Sequence, residues 1–291
     1  MSQLPAIAFI GTGVMGRSMA GHLLAAGHPV HVHTRTKSRA ADLLNAGAVW
    51  HDSAGAAAAV SRVVITIVGY PSDVEAVYLG TGGIIENAQA GSVLIDMTTS
   101  SPALAERIAD AASAAGMSAL DAPVSGGDIG AREARLSIMV GGNRDAFDRA
   151  LPVLACVGKN IVYQGKAGSG QHTKMCNQIA IASGMLGVCE SLAYAKKSGL
   201  DPATVLKSIE SGAAGSWSLT NLAPRILNND YTPGFYVKHF IKDMRIAIES
   251  AEAMQLDLPG LQLAKKLYDQ LAAEGCEDDG TQALFKLYQS S

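Results

Sequence analysis

The chain has 291 residues, of which 48% are hydrophobic, 17% charged and 5% aromatic; it is too apolar for disorder and long enough for roughly two domains with separate cores. A formal net charge of −3 gives no basic footprint for nucleic acid or for an acidic membrane surface. The four cysteines (Cys156, Cys176, Cys189 and Cys276) show neither metal-ligand nor framework spacing, so thiols in a reducing, cytoplasmic compartment are expected.

Residues 6–10 are an apolar run without alternation, the pattern of a strand covered on both faces. Met1, Ser2, Gln3, Leu4 and Pro5 ahead of it carry no positive region, so no signal peptide is expected. A turn over 11–16 leads into a helix in which Val14, Met15, Met19, Leu23 and Leu24 recur at helical spacing, and Gly27 stands where a helix stops. Strands are expected over 30–33, 48–50, 63–68 and 93–96, with helices over 40–45, 54–60 and 73–78 between them. That alternation argues for βαβ units and a parallel sheet, hence an α/β fold. Further strands over 119–121, 136–140 and 160–163 complete a first domain, residues 1–164.

Residues 165–291 read differently. From 171 to 197 apolar positions recur all round, which predicts a helix buried on most sides. Its longest apolar run, 179–189, is interrupted by Ser183, Gly184 and Gly187 and is too short to span a bilayer, so no membrane is expected. Helices follow over 202–210, 219–227, 237–254 and 261–273, with Asp201-Pro202 and Leu258-Pro259 as helix starts.

Four motifs carry chemistry. Gly11-Thr12-Gly13-Val14-Met15-Gly16 is a G-x-G-x-x-G between a strand and a helix, where backbone N–H groups approach a dinucleotide pyrophosphate. At the end of the second strand, where NAD sites place an acidic residue, stand Thr34-Arg35-Thr36-Lys37-Ser38, with no acid before Asp42. Arg35 suits a 2′-phosphate and the neighbouring residues offer further donors, which predicts NADP over NAD. Asp121-Ala122-Pro123-Val124-Ser125-Gly126-Gly127 ends a strand in a hydroxyl and consecutive backbone N–H groups, a nest suited to a carboxylate. Finally, Gly168 and Gly170 precede a helix on which Lys174, Asn177 and Gln178 share one face at i, i+3 and i+4. A lysine desolvated in a cleft loses part of its preference for the ammonium form and exchanges a proton.

As a set, these motifs resemble the β-hydroxyacid dehydrogenase family, which includes 3-hydroxyisobutyrate dehydrogenases and tartronate semialdehyde reductases, and the resemblance covers essentially the whole chain. It implies a doubly wound N-terminal Rossmann domain, a long interdomain helix and an all-α C-terminal domain that helps form a homodimer or homotetramer. By the same resemblance Lys174 matches the catalytic lysine, Asn177 the substrate-orienting asparagine, and Ser125 and Gly126, with Gly127 beside them, the carboxylate site. Val68 and Gly69 match a cofactor loop, Thr99 a residue beside the cofactor, and Lys242 a cofactor-site lysine. Gln178, read as a substrate contact, stands where many relatives have asparagine, and the 69–72 loop also departs from the common pattern.

The implied reaction is hydride exchange between NADP(H) or NAD(H) and a small β-hydroxy acid, with Lys174 moving the proton. The alternatives are an imine or other carbonyl reductase on the same scaffold, and a catalytically silent dinucleotide-binding module. Plainer readings attach to three features: Lys242 and Asp243 as a surface pair, Trp217 and Phe235 as core rather than pocket, and His172 as packing at a helix start.

Overall fold

A computed structural model describes residues 4–289. Met1, Ser2 and Gln3, part of the stretch read as carrying no signal peptide, lie outside the described residues. The described chain forms two compact units, Met1–Lys174 and Met175–Ser291.

The first unit is a nine-stranded sheet: β1 (Ile7–Ile10), β2 (Val30–His33), β3 (Val49–Trp50), β4 (Val63–Thr66), β5 (Val93–Asp96), β6 (Ser118–Asp121), β7 (Val124–Ser125), β8 (Leu136–Gly142) and β9 (Gly158–Gly165). Its order is β3-β2-β1-β4-β5-β6-β8-β7, with β9 on β8. Strands β1 to β6 are parallel; β8 runs antiparallel to β6 and β7. The 3-2-1-4-5-6 portion is the doubly wound order, in which ligands bind beyond the carboxyl ends of the strands where the order reverses, here β1 and β4. Eight helices connect the strands: α1 (Val14–Ala25), α2 (Ala41–Asn45), α3 (Ala54–Ala59), α4 (Pro71–Leu79), α5 (Ile84–Asn87), α6 (Pro102–Ala114), α7 (Gly127–Arg132) and α8 (Arg144–Leu154).

Burial on both faces explains why β1, and β4 and β5 up to their last residues Thr66 and Asp96, are apolar, and the period of two sends alternate side chains to opposite faces. Ile7, Phe9, Val63, Ile65, Val93 and Ile95 enter one core, and Ala8, Ile10, Val64 and Leu94 enter another. Each of these side chains other than that of Ala8 contributes about 1.5–3 kcal/mol when fully buried. Strand β4 stops two residues earlier than expected because the Val68 N–H leaves the sheet for Thr98 Oγ1, at 3.0 Å.

The first turns of α9 (Ser169–Lys197) belong to the first unit and the rest to the second, so the break between units falls inside this helix. The second unit continues with α10 (Pro202–Ile209), α11 (Trp217–Asn221), α12 (Ala223–Leu227), α13 (Val237–Ala253) and α14 (Pro259–Leu271). The helix expected over 219–227 is two, parted at Leu222, because Pro224 has no N–H to continue the ladder.

The helix expected over 171–197 is present as Ser169–Lys197; its 29 residues are long and apolar enough to cross a membrane by length and composition alone, a test that a buried core helix also passes. As expected, it is buried or half-buried round most of its circumference. Met175, Ala182, Met185, Cys189 and Leu192 enter the core of the helical unit, while His172, Cys176, Ala180, Ser183, Gly184, Gly187, Glu190 and Tyr194 form one exposed stripe. Alanine and glycine count as apolar in a pattern but have little side chain to bury.

Candidate active site

The glycine turn after β1 is built for close approach. Gly11 has φ +98°, and a Cβ there would lie 2.2 Å from the Ile67 carbonyl oxygen; at Gly16 it would lie 2.0 Å from that of Gly11. A Cβ on Gly13 would meet nothing within 4 Å, so the backbone there faces open space. Helix α1 starts from Gly13 with no side-chain cap and no acid in its first turn. Its first N–H groups and its positive dipole end are therefore available to an anion. Thr12 Oγ1 is buried without a hydrogen-bond partner among the described residues. Open amides, an uncapped helix start and an orphaned hydroxyl together fit a dinucleotide pyrophosphate.

Around this turn, Arg35 is largely exposed, with Nη1 3.4 Å from Asp73 Oδ1. Thr34 is half-buried and Thr36 exposed. Lys37, one of the donors expected for a 2′-phosphate, is exposed, with its ammonium 5.2 Å from the centre of the Trp50 ring. Val68 and Gly69 form the loop after β4, and Thr99 lies in the loop after β5.

Two buried aspartates at adjacent strand ends organise the next layer. On β5, Asp96 Oδ1 accepts from Thr66 Oγ1 at 2.8 Å and from the Thr98 N–H at 3.1 Å. On β6, the Asp121 carboxylate accepts from the Gly168 N–H at 2.9 Å and the Gln171 N–H at 2.8 Å, so a distant strand caps the start of α9. Gln171 then donates through Nε2 to the Thr98 carbonyl, at 2.7 Å, and accepts the Ser100 N–H, at 2.9 Å. Only glycine fits beside this cap: a Cβ on Gly141 would lie 2.6 Å from Asp121 Oδ1, and one on Gly170 would lie 2.4 Å from the Asp121 carbonyl oxygen. Burial raises both carboxyls, Asp96 and Asp121, to about 6, against the hydrogen bonds that pull them down. Lys174 follows three residues after Gln171 and is 7% exposed.

Ser125 ends β7, and the chain then passes through Gly126 (φ +122°) and Gly127 (φ +63°) into α7. A Cβ on Gly127 would meet nothing within 4 Å, so this backbone also faces open space.

Within the helical unit, Asn177 Nδ2 donates to Gln178 Oε1 at 2.7 Å, and Gln178 Nε2 donates to Asp243 Oδ2 at 2.6 Å. The Lys242 ammonium lies 3.0 Å from Asp243 Oδ1. Lys242 and Asp243 are 7% and 1% exposed, so the reading of a surface pair is wrong: the pair is buried. Trp217, read as pocket or core, is 56% exposed. Phe235 packs on the core with its ring 5.6 Å from that of Phe240. His172 is exposed.

Sequence reasoning missed the hydrogen-bonding work of Asp96, Asp121 and Gln171. An acid at the carboxyl end of each of two neighbouring strands, in otherwise apolar runs, was the available signal.

The arrangement defines a dinucleotide-binding oxidoreductase. Residues 6–165 match the NAD binding domain of 6-phosphogluconate dehydrogenase, and residues 168–288 match the NAD-binding domain of NADP-dependent 3-hydroxyisobutyrate dehydrogenase. The chain is 62% identical to the uncharacterized oxidoreductase YkwC of Bacillus subtilis, over 97% of this chain and 98% of that one. It is 38% identical to the 3-hydroxyisobutyrate dehydrogenase of Pseudomonas aeruginosa, over 97% and 98%. A structure of the Mycobacterium tuberculosis 3-hydroxyisobutyrate dehydrogenase with L-serine superposes with a TM-score of 0.90 at 31% identity, covering 98% of this chain and 99% of that one. The chain belongs to the β-hydroxyacid dehydrogenase family and is an NAD(P)-dependent oxidoreductase acting on CH–OH groups of a small molecule.

Because Asp96 has a higher pKa folded, about 6, than its ordinary 3.8, its contribution to stability is complete below the ordinary value and is lost as pH rises through about 6. An amide at this position keeps the acceptor for Thr66 and Thr98 but does not titrate. Urea unfolding of Asp96→Asn and the parent should therefore show the variant gaining relative stability between pH 4 and pH 7, by on the order of 2 kcal/mol. A difference that does not change with pH contradicts this account of the buried carboxyl.

Proposed function

We propose that this enzyme moves a hydride between NADP(H) and a small β-hydroxy acid or its semialdehyde, with Lys174 as the general acid and base. The observation that carries this is a lysine only 7% exposed on the first turns of a helix whose start is capped by a buried carboxylate. Hydride transfer at the substrate carbon is the chemistry a bound nicotinamide supplies. In reduction, a C–H bond forms at the carbonyl carbon and Lys174 Nζ–H protonates the developing alkoxide; in oxidation the lysine accepts the hydroxyl proton. A cation already in place where oxyanion charge develops adds electrostatic stabilisation.

Ser125, Gly126 and Gly127 bind the substrate carboxylate through the hydroxyl and backbone N–H groups, and Asn177 orients the substrate oxygen. Gly11, Thr12, Gly13, Val14, Met15 and Gly16 cradle the pyrophosphate; Thr34, Arg35 and Thr36 take the adenosine end; Val68, Gly69, Thr99 and Lys242 complete the cofactor site. L-serine, present with the mycobacterial relative, is itself a small β-hydroxy acid, which supports the substrate class. The absence of an acid between residues 34 and 41 supports NADP over NAD. Four free cysteines support a cytoplasmic location, and open space over Gly184 and Gly187 on the exposed stripe of α9 supports a homodimer or homotetramer.

Lys174→Ala should lower kcat by about 10²–10⁴ while dinucleotide affinity, measured by fluorescence titration, is retained. Near-normal turnover in that variant removes the lysine from the mechanism. Steady-state kinetics should also give a higher kcat/KM with NADPH than with NADH, and Arg35→Ala should narrow the gap by about tenfold. A parent enzyme that favours NADH overturns the cofactor preference.

A further inference from the structure

The substrate-side asparagine is wired to a buried ion pair. Gln178 and Asp243 are each 1% exposed, and the hydrogen bonds run in one sense: Asn177 Nδ2 to Gln178 Oε1, then Gln178 Nε2 to Asp243 Oδ2. A carboxylate only accepts hydrogen bonds, whereas an amide side chain can be turned end for end. Facing Asp243, Gln178 must present its nitrogen, so its oxygen faces Asn177; Asn177 must in turn give its nitrogen to Gln178. The charge on Asp243, balanced by the Lys242 ammonium 3.0 Å from its other oxygen, thus sets the sense of two amides in series.

We propose that Gln178 and Asp243 are positioning residues that lock the Asn177 amide in one orientation, so that its carbonyl oxygen is kept as an acceptor toward the Lys174 ammonium on the same helix face. Gln178 then acts through Asn177 and does not contact the substrate, a different role from the one its place on the helix face suggested. A turned Asn177 would set a donor against that ammonium. The inference rests on the proposed role of Asn177 in the dehydrogenase reaction.

The test is a charge-conserving swap. Gln178→Glu alone sets two carboxylates against each other; Asp243→Asn alone removes the group that dictates the sense. In the double variant the new amide at 243 donates to the new carboxylate at 178, which still accepts from Asn177. Each single variant should lower kcat by about tenfold or more with KM for the hydroxy acid changed by less than about threefold, and the double variant should return to within about threefold of the parent kcat. Direct contact between Gln178 and the substrate would instead raise KM in Gln178→Glu, and the second substitution would bring no recovery; that result overturns the relay. Should a single variant fail to fold, neutron diffraction from the unsubstituted holoenzyme reads the amides directly. Deuterium on Gln178 Nε2 facing Asp243 supports the relay, and the reversed amide overturns it. An unsubstituted enzyme without activity on small β-hydroxy acids strikes the proposed function, whereas an active one whose swap gives no rescue strikes only the relay.

Discussion

At the start of α9 two backbone amides, of Gly168 and Gln171, share one carboxylate that arrives from the end of β6. A helix leaves its first N–H groups without intrahelical partners, and most helices satisfy them with a neighbouring serine, threonine or aspartate. Here the cap lies 47 residues away from Gly168 in sequence, so the helix can begin correctly only once the sheet is built. Burying the carboxyl costs free energy, seen in its raised pKa, and the oriented N–H groups at the helix start offset part of that cost. The glycines at 141 and 170 exist in that setting because any Cβ would occupy the space of the cap. Gln171 extends the connection to the loop after β5, which also takes up the Asp96 hydrogen bonds. Position and direction of the first turns of α9 are therefore set by the sheet, and Lys174 inherits both.

Much of this architecture was legible from pattern alone. Strand β5 falls where its apolar run placed it, because a strand covered on both faces leaves a near-continuous hydrophobic signature, and β2 falls where it was expected with only its two valines buried. The glycine turn was legible because its spacing answers a steric demand made within a few residues. Helices α6 and α8 were overlooked, although each announces itself locally: Ser101 Oγ accepts the Leu104 N–H ahead of Pro102, and Asn143 Oδ1 accepts the Ala146 N–H. Their buried positions also recur at helical spacing, Leu104, Ile108 and Ala112 in one and Phe147, Ala150 and Leu154 in the other, so both helices were legible in the pattern as well.

What escaped the sequence is long-range. Gln178 and Asp243 are 65 residues apart, and nothing in either neighbourhood foretells that one amide will face the other's carboxylate. Lys242-Asp243 looks like a solvated pair until α13 is seen to turn both inward. Trp217 differs in the opposite sense: its plainer reading as a core residue fails, because the ring is exposed. The chemistry-bearing residue types could be picked out in advance, but their hydrogen-bond partners could not, because pairing is decided by the fold.

Native-state hydrogen exchange resolved at single amides tests the central claim most directly. If Asp121 caps α9 as described, the Gly168 and Gln171 amides exchange as slowly as core amides of β5 such as that of Ile95, opening only with the sheet. Exchange of these two amides at the rate of an exposed loop, with β5 still protected, would contradict it.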